Sequence, residues 1–253
     1  MRTSRMLCVI VVFFATLSLW AQDKQGTIAG LEFQKPKNGM VKQYEEGRKQ
    51  KADWHKQQKD SQPLYVWETL TGPETGTYVV GRFGQHWADL DKPSVPDQAD
   101  LDEYRKVVAG SVESMVARYY EFLPKLSNPG DMTTPPKFDE IITFHLRYGR
   151  GADFRSAISR VHEAGEKTKW PVNYLWYELV AGGNTGTFVL AIPHGNWADF
   201  EDKPEVKPFR DMLKDAFGQA EADSVIHRID GSVESETVEI VQFRPDLSYL
   251  PGK

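Results

Sequence analysis

Ile142, Phe144, Leu146 and Tyr148 alternate with Thr143, His145 and Arg147, the two-residue period of a strand with one buried face. From Asp153 to Thr168 the apolar residues Phe154, Ala157, Ile158 and Val161 fall at helical spacing, and Pro171 closes the stretch. Residues 174–180 predict a second, aromatic strand. Ala181-Gly182-Gly183-Asn184 is a turn signal, and residues 187–192 form a β-branched third strand, so the two strands read as a hairpin. A helix follows Pro208 with Phe209, Met212, Leu213 and Phe217 on one face. In a last strand Val238, Ile240 and Gln242 alternate with Glu239, Val241 and Phe243.

The first half carries the same order more weakly. It predicts a strand at 31–34, a helix at 41–59, strands at 64–70 and 77–83 across the turn Thr71-Gly72-Pro73-Glu74, a helix at 99–112 and a strand at 115–123. Each half reads strand, helix, strand, strand, helix, strand, the split βαβ or ferredoxin-like order.

Short blocks recur between the halves. Tyr65-Val66-Trp67 returns as Tyr174-Leu175-Trp176, an offset of 109. Thr75-Gly76-Thr77-Tyr78-Val79 returns as Thr185-Gly186-Thr187-Phe188-Val189, and Trp87-Ala88-Asp89-Leu90 as Trp197-Ala198-Asp199-Phe200, both at 110. Gly110-Ser111-Val112-Glu113-Ser114 returns as Gly231-Ser232-Val233-Glu234-Ser235 at 121, so about eleven residues are added before the last block. The expected organisation is a first repeat at 22–127, a Pro-rich linker at 128–137 and a second repeat at 138–253. Each unit's helices cover one sheet face and leave the other open, and two units can bury those faces against each other. The expected fold class is therefore α+β, two tandem ferredoxin-like βαββαβ units packed sheet to sheet.

This order, the duplication and the Trp-containing segment after the third strand resemble the dimeric α/β-barrel superfamily. That superfamily includes antibiotic-biosynthesis monooxygenase, EthD-like and NIPSNAP-like domains. The resemblance implies an intramolecular pseudo-dimeric barrel with a cavity between the sheets. Members range from cofactor-free oxygenases and haem-degrading enzymes to proteins with no known activity. No family motif matches residue by residue, so no catalytic residue carries over. Asn196-Trp197 is similar in residue type to the Asn and Trp of haem-degrading members, at a different spacing.

Arg2 and Arg5 precede an apolar run from Met6 to Ala21, which predicts a signal peptide over 1–21 and a secreted or periplasmic protein. Sixteen residues fall short of the roughly 20 a membrane span needs. The lone cysteine, Cys8, lies in that run, so the rest of the chain has no disulfide and no thiol nucleophile. The formal charge of −5, without basic runs, speaks against nucleic acid and anionic membranes. A barrel closed within one chain implies a monomer, with a homodimer as the alternative.

No phosphate loop, dinucleotide fingerprint or nucleophile elbow is present. His162-Glu163-Ala164-Gly165-Glu166 lacks the second histidine of the zinc motif, so neither metal nor cofactor is expected. His86 aligns with Asn196, and His194 with Gly84. Divergence between halves is a route to one asymmetric site, which makes His86 and His194 candidate acid/base groups. Glu178, whose counterpart is read as Thr69, is a third if it faces an aromatic cavity that raises its pKa. His145 and Arg147, with Gln34 opposite His145 in the first half, would form a cationic pair for a carboxylate or phenolate. Trp87 with Asp89, and Trp197 with Asp199, read either as ligand-facing indoles beside carboxylates or as structural caps. Tyr65, Trp67, Tyr174 and Trp176 read as aromatic lining. The leading expectation is binding of a small aromatic or apolar molecule between the sheets. A cofactor-independent oxygenase or isomerase is the second expectation, and a structural or interaction module the third.

Overall fold

The computed structural model describes residues 26–131 and 134–252; the expected signal peptide lies outside them. Among these residues, eight strands are interspersed with helices: β1 (Ile28–Pro36), β2 (Tyr65–Thr69), β3 (Tyr78–Gln85), β4 (Val112–Phe122), β5 (Phe138–Leu146), β6 (Leu175–Ala181), β7 (Thr187–His194) and β8 (Val233–Phe243). They close into an antiparallel barrel in the order β1-β3-β2-β8-β5-β7-β6-β4, which leaves no free sheet edge. Helices α1 (Val41–Gln57), α2 (Asp97–Val107), α3 (Gly151–Thr168), α4 (Phe209–Phe217) and α5 (Gln219–Ser232) cover its outside. The helix expected after Pro208 is two helices, broken at Gly218, whose φ of 83° suits only glycine well.

Strand pairing fixes which residues are equivalent. Gln34 pairs with Tyr78 and Phe144 with Phe188; Trp67 pairs with Val79 and Tyr177 with Val189. Every strand of this kind is offset by 110, including β2 and β6. The aromatic likeness at 109 is thus one residue out of register, and Trp67 corresponds to Tyr177, not Trp176. A one-residue slip moves a side chain to the opposite face of a strand. Val66 and Trp176 accordingly face the helices, while Trp67 and Tyr177 face the barrel interior. By the same pairing His145 matches Lys35, and Gln34 matches Phe144.

Alternation along each strand divides the apolar residues between interior and helix layer. Outside the second half, Phe154 and Ile158 of α3 pack on Leu146, Tyr174, Trp176 and Phe188, and α3 packs through Val161 and Ala164 on Met212, Leu213 and Val225. Outside the first half, Tyr44, Val66, Tyr78, Val80 and Val108 form the counterpart core with Leu247. The segment after each half's last strand crosses to the other half. Asn128 bridges to Tyr174, and Tyr249 bridges to Leu64.

Candidate functional site

A half-open cavity of about 190 Å³ lies between α3, the start of α4 and the outer face of β5–β7. Its walls are apolar, among them Phe144, Ile158, Val161, Trp176, Leu190 and Phe209. Helical spacing along α3 turns Ile158 and Val161 onto the sheet, and strand alternation presents Phe144 and Trp176 to them. The equivalents of Phe144 and Phe188 in the first half are Gln34 and Tyr78. There Tyr44 donates to Gln34 Oε1 at 2.9 Å and packs against the Tyr78 ring in a tilted arrangement, centroids 4.7 Å apart.

One polar group borders the cavity. The Tyr174 hydroxyl lies 3.0 Å from His162 Nδ1, and His162 Nε2 lies 3.6 Å from Glu166. Burial, and then the nearby Glu166 charge, push the Tyr174 phenol up to about 12, so it stays a neutral hydroxyl. Residues equivalent at the 110 offset are Ala52 and Leu64, so this pair belongs to the second half alone. Sequence reasoning gave His162 no role; its helical spacing to Glu166 was visible, but its contact with Tyr174 needs the fold.

The expected site residues do not converge. His86 is exposed, and its backbone N–H donates to Asp89 Oδ2 at 2.7 Å. Asp199 accepts from the backbone of Gly195 and Asn196, and the Asn196 side chain accepts from Ala198 at 2.8 Å. Both carboxylates thus cap short turns. The indoles beside them, Trp87 and Trp197, are 51% and 52% exposed; Trp87 rests on Tyr119 and Trp197 on Phe138. His194 stacks on Phe200 at 3.9 Å and faces Glu140 at 3.5 Å, largely buried on the outer face of the sheet.

Glu178 does not face the interior. It is ion-paired with Arg155 of α3, and its true counterpart is Glu68, which pairs with Arg244 at 2.7 Å. The face expected to hold Tyr65 and Trp67 together with Tyr174 and Trp176 is likewise split by the register: the first two look inward, the second two toward α3. Arg147 lies beyond the end of β5 and donates to the carbonyls of Asp230 and Gly231, the C-terminus of α5. His145 remains on the strand, 3.2 Å from Thr187 Oγ1. These two form no cationic pair, because one is in the sheet and the other caps a helix.

The barrel interior holds a second concentration of chemistry. Tyr65, Trp67, Phe83 and Phe243 cluster with ring centroids 5.5–6.3 Å apart, and Tyr177 joins through Phe83 at 6.3 Å and Phe122 at 5.4 Å. Asp139 is 8% exposed beside them. Burial raises its carboxyl to about 7, against a smaller lowering by the Trp67 indole N–H. That N–H faces the carboxyl but falls outside standard hydrogen-bond geometry. Asp139 sits at the first inward position of β5, directly after the Pro-rich segment. Its only signal in the sequence was a carboxylate in phase with Ile141 and Thr143.

The chain matches no protein-family model and no curated protein. Among solved structures it is similar to an anthrone oxidase-like protein, with a TM-score of 0.55 at 10% identity, covering 92% of this chain and 96% of that one. It is also similar to a provisionally assigned monooxygenase from Lactobacillus acidophilus NCFM (TM-score 0.54, 9% identity, 90% and 98% covered). A third, from Fusobacterium nucleatum and likewise provisionally assigned as a monooxygenase, has a TM-score of 0.51 at 11% identity (87% and 93% covered). Identities this low establish the fold alone, an α+β architecture of the dimeric α/β-barrel kind.

Proposed function

We propose that the protein binds a small apolar molecule of about one aromatic ring in the cavity between α3, α4 and the outer face of β5–β7. The observation that carries this reading is the almost entirely apolar wall of a space near 190 Å³. A dry cavity of about 150 Å³ is enough for benzene, whereas drug-sized ligands occupy some 300 Å³ or more. The size therefore selects a single substituted ring over a tricyclic one. The site lies between sheet and helices, not between the sheets.

The same proposal takes the chain as a tandem duplication of ferredoxin-like units (22–127 and 138–253, joined by 128–137), acting as a monomer after removal of 1–21 in a secreted or periplasmic setting. Support comes from the uniform 110-residue equivalence of the first three strands of each half and from the crossed tails. Calorimetric titration with ethylbenzene tests the binding. Saturable heat is expected for the native chain, with loss in Val161→Phe or Ile192→Phe, either of which fills the space. Equal binding by both filled variants, if folded, rejects the site.

A second reading, oxygen-dependent oxidation of a monocyclic substrate, is favoured by the His162–Tyr174 pair at the cavity margin and by the fold shared with the anthrone oxidase-like protein. A hydroquinone would pass two electrons and two protons to dioxygen, giving quinone and hydrogen peroxide, with His162 receiving a proton in transit. Oxygen uptake with methylhydroquinone above the uncatalysed rate, lost in His162→Ala, is its expected signature.

A further inference from the structure

We infer that the barrel interior is a second ligand site, which takes a small organic ammonium ion between the Asp139 carboxylate and the aromatic faces of Tyr65, Trp67 and Tyr177. Charge accounting leads there first. A buried carboxylate is normally paired with a cation or several donors. Among the described residues no Lys, Arg or His forms an ion pair with Asp139, and its polar neighbours are the Trp67 indole and the Tyr177 phenol. Burial, and then the Asp139 charge, push that phenol well above its ordinary range, so Tyr177 remains neutral and supplies no counter-charge.

The surroundings select the kind of cation. Indole, phenol and phenyl faces attract an alkylammonium through their quadrupoles, most strongly where water is excluded. A divalent metal would need several oxygen or nitrogen ligands, and no cluster of three or more acidic, His or Cys side chains suited to a metal exists among the described residues. Tyr65, Trp67, Phe83 and Tyr177 face inward, and each residue keeps partial solvent exposure.

The other charged or titratable groups facing the interior lie elsewhere in balance. Arg118 of β4 sits 4.5 Å over the Phe33 ring and opposes Glu239 of β8, its own counterpart at the 121 offset. Tyr65 of β2 and Tyr120 of β4 are both raised by burial and stay neutral. His145 is bonded to Thr187 at the far end of β5, and its equivalent Lys35 is exposed at the far end of β1. Asp139 has no equivalent in the first half, where Ala29 takes its place, so the site is single despite the repeated fold.

Benzylamine, calorimetrically titrated into the full chain, tests the inference. Saturable binding is expected at pH 8. Because only the ionised carboxylate attracts the cation, affinity should fall roughly 30-fold by pH 5.5, following one group near pH 7. Asp139→Asn should abolish the binding, and Trp67→Phe should weaken it several-fold. Should Asp139→Asn fail to fold, the pH dependence in the native chain carries the test. No saturable heat at 10 mM benzylamine and pH 8, binding that ignores pH, or equal Asp139-dependent binding of neutral benzyl alcohol would each overturn it.

Discussion

Ser127, beyond the last strand of the first half, accepts the backbone N–H of Trp176 in the second half at 2.8 Å. The reciprocal bond joins Ser248 to the N–H of Val66 at 2.9 Å. Each serine also donates to the carbonyl four residues earlier, Leu123 and Arg244 respectively. Each half therefore completes the strand that borders the other's core, and neither buries its own outer face alone.

Removing one of these hydroxyls leaves a buried amide unsatisfied, which costs about 1–3 kcal/mol. Ser127→Ala should lower the unfolding free energy by that amount, seen as a lower urea midpoint with the slope of the transition unchanged. Unfolding should stay a single step for fluorescence and circular dichroism alike, because the halves share one barrel. Two separated transitions would contradict the crossed arrangement.

The buried carboxyl of Asp139 makes stability depend on pH in an uncommon direction. Its folded-state pKa, about 7, lies well above the ordinary aspartate value, so the native state binds the extra proton. The resulting stability is fully present below about pH 4 and lost as pH rises through 7. Asp139→Asn should lose this downward slope and be more stable than the parent chain at pH 8, by at most about 4 kcal/mol. Equilibrium denaturation at pH 5 and pH 8 checks both statements.

His55 pulls the other way. It is 1% exposed between Asp60 (2.9 Å) and Asp100 (3.3 Å), and burial, outweighing both carboxylates, lowers it to about 4. A histidine depressed in this way contributes stability present above about 6.5 and lost as pH falls toward 4. The two groups oppose each other across pH 4–7 in the native chain. His55→Gln should expose the Asp139 slope, with stability falling as pH rises; Asp139→Asn should expose the reverse.

Gly47 sits inside α1, where alanine normally gains about 1 kcal/mol. Here an added Cβ would stand 2.0 Å from the Val107 carbonyl oxygen at the end of α2. The clash with backbone outweighs the helical gain, so Gly47→Ala should be destabilised by more than 1 kcal/mol in thermal unfolding.

Much of this architecture was readable in advance. The alternation in β5, the helical spacing of α3 and the hairpin turns gave each element in order. The uncertain step was register: Tyr65-Val66-Trp67 and Tyr174-Leu175-Trp176 match as letters, yet main-chain pairing sets Trp67 opposite Val79 and Tyr177 opposite Val189. That single residue relocated Tyr174, Trp176 and Glu178 from the interior to the helix layer. It also brought Tyr174 onto His162, a contact between strand and helix that spacing along one chain does not reveal. Asp139 was overlooked because a lone carboxylate at a strand's start looks like a surface residue until the barrel closes around it.

The most direct test of the binding account is anomalous diffraction from crystals of the protein exposed to bromobenzene. The account predicts a bromine peak enclosed by Phe144, Ile158, Trp176 and Leu190 in the second half. A peak only in the barrel interior, or none at saturating bromobenzene, would contradict it.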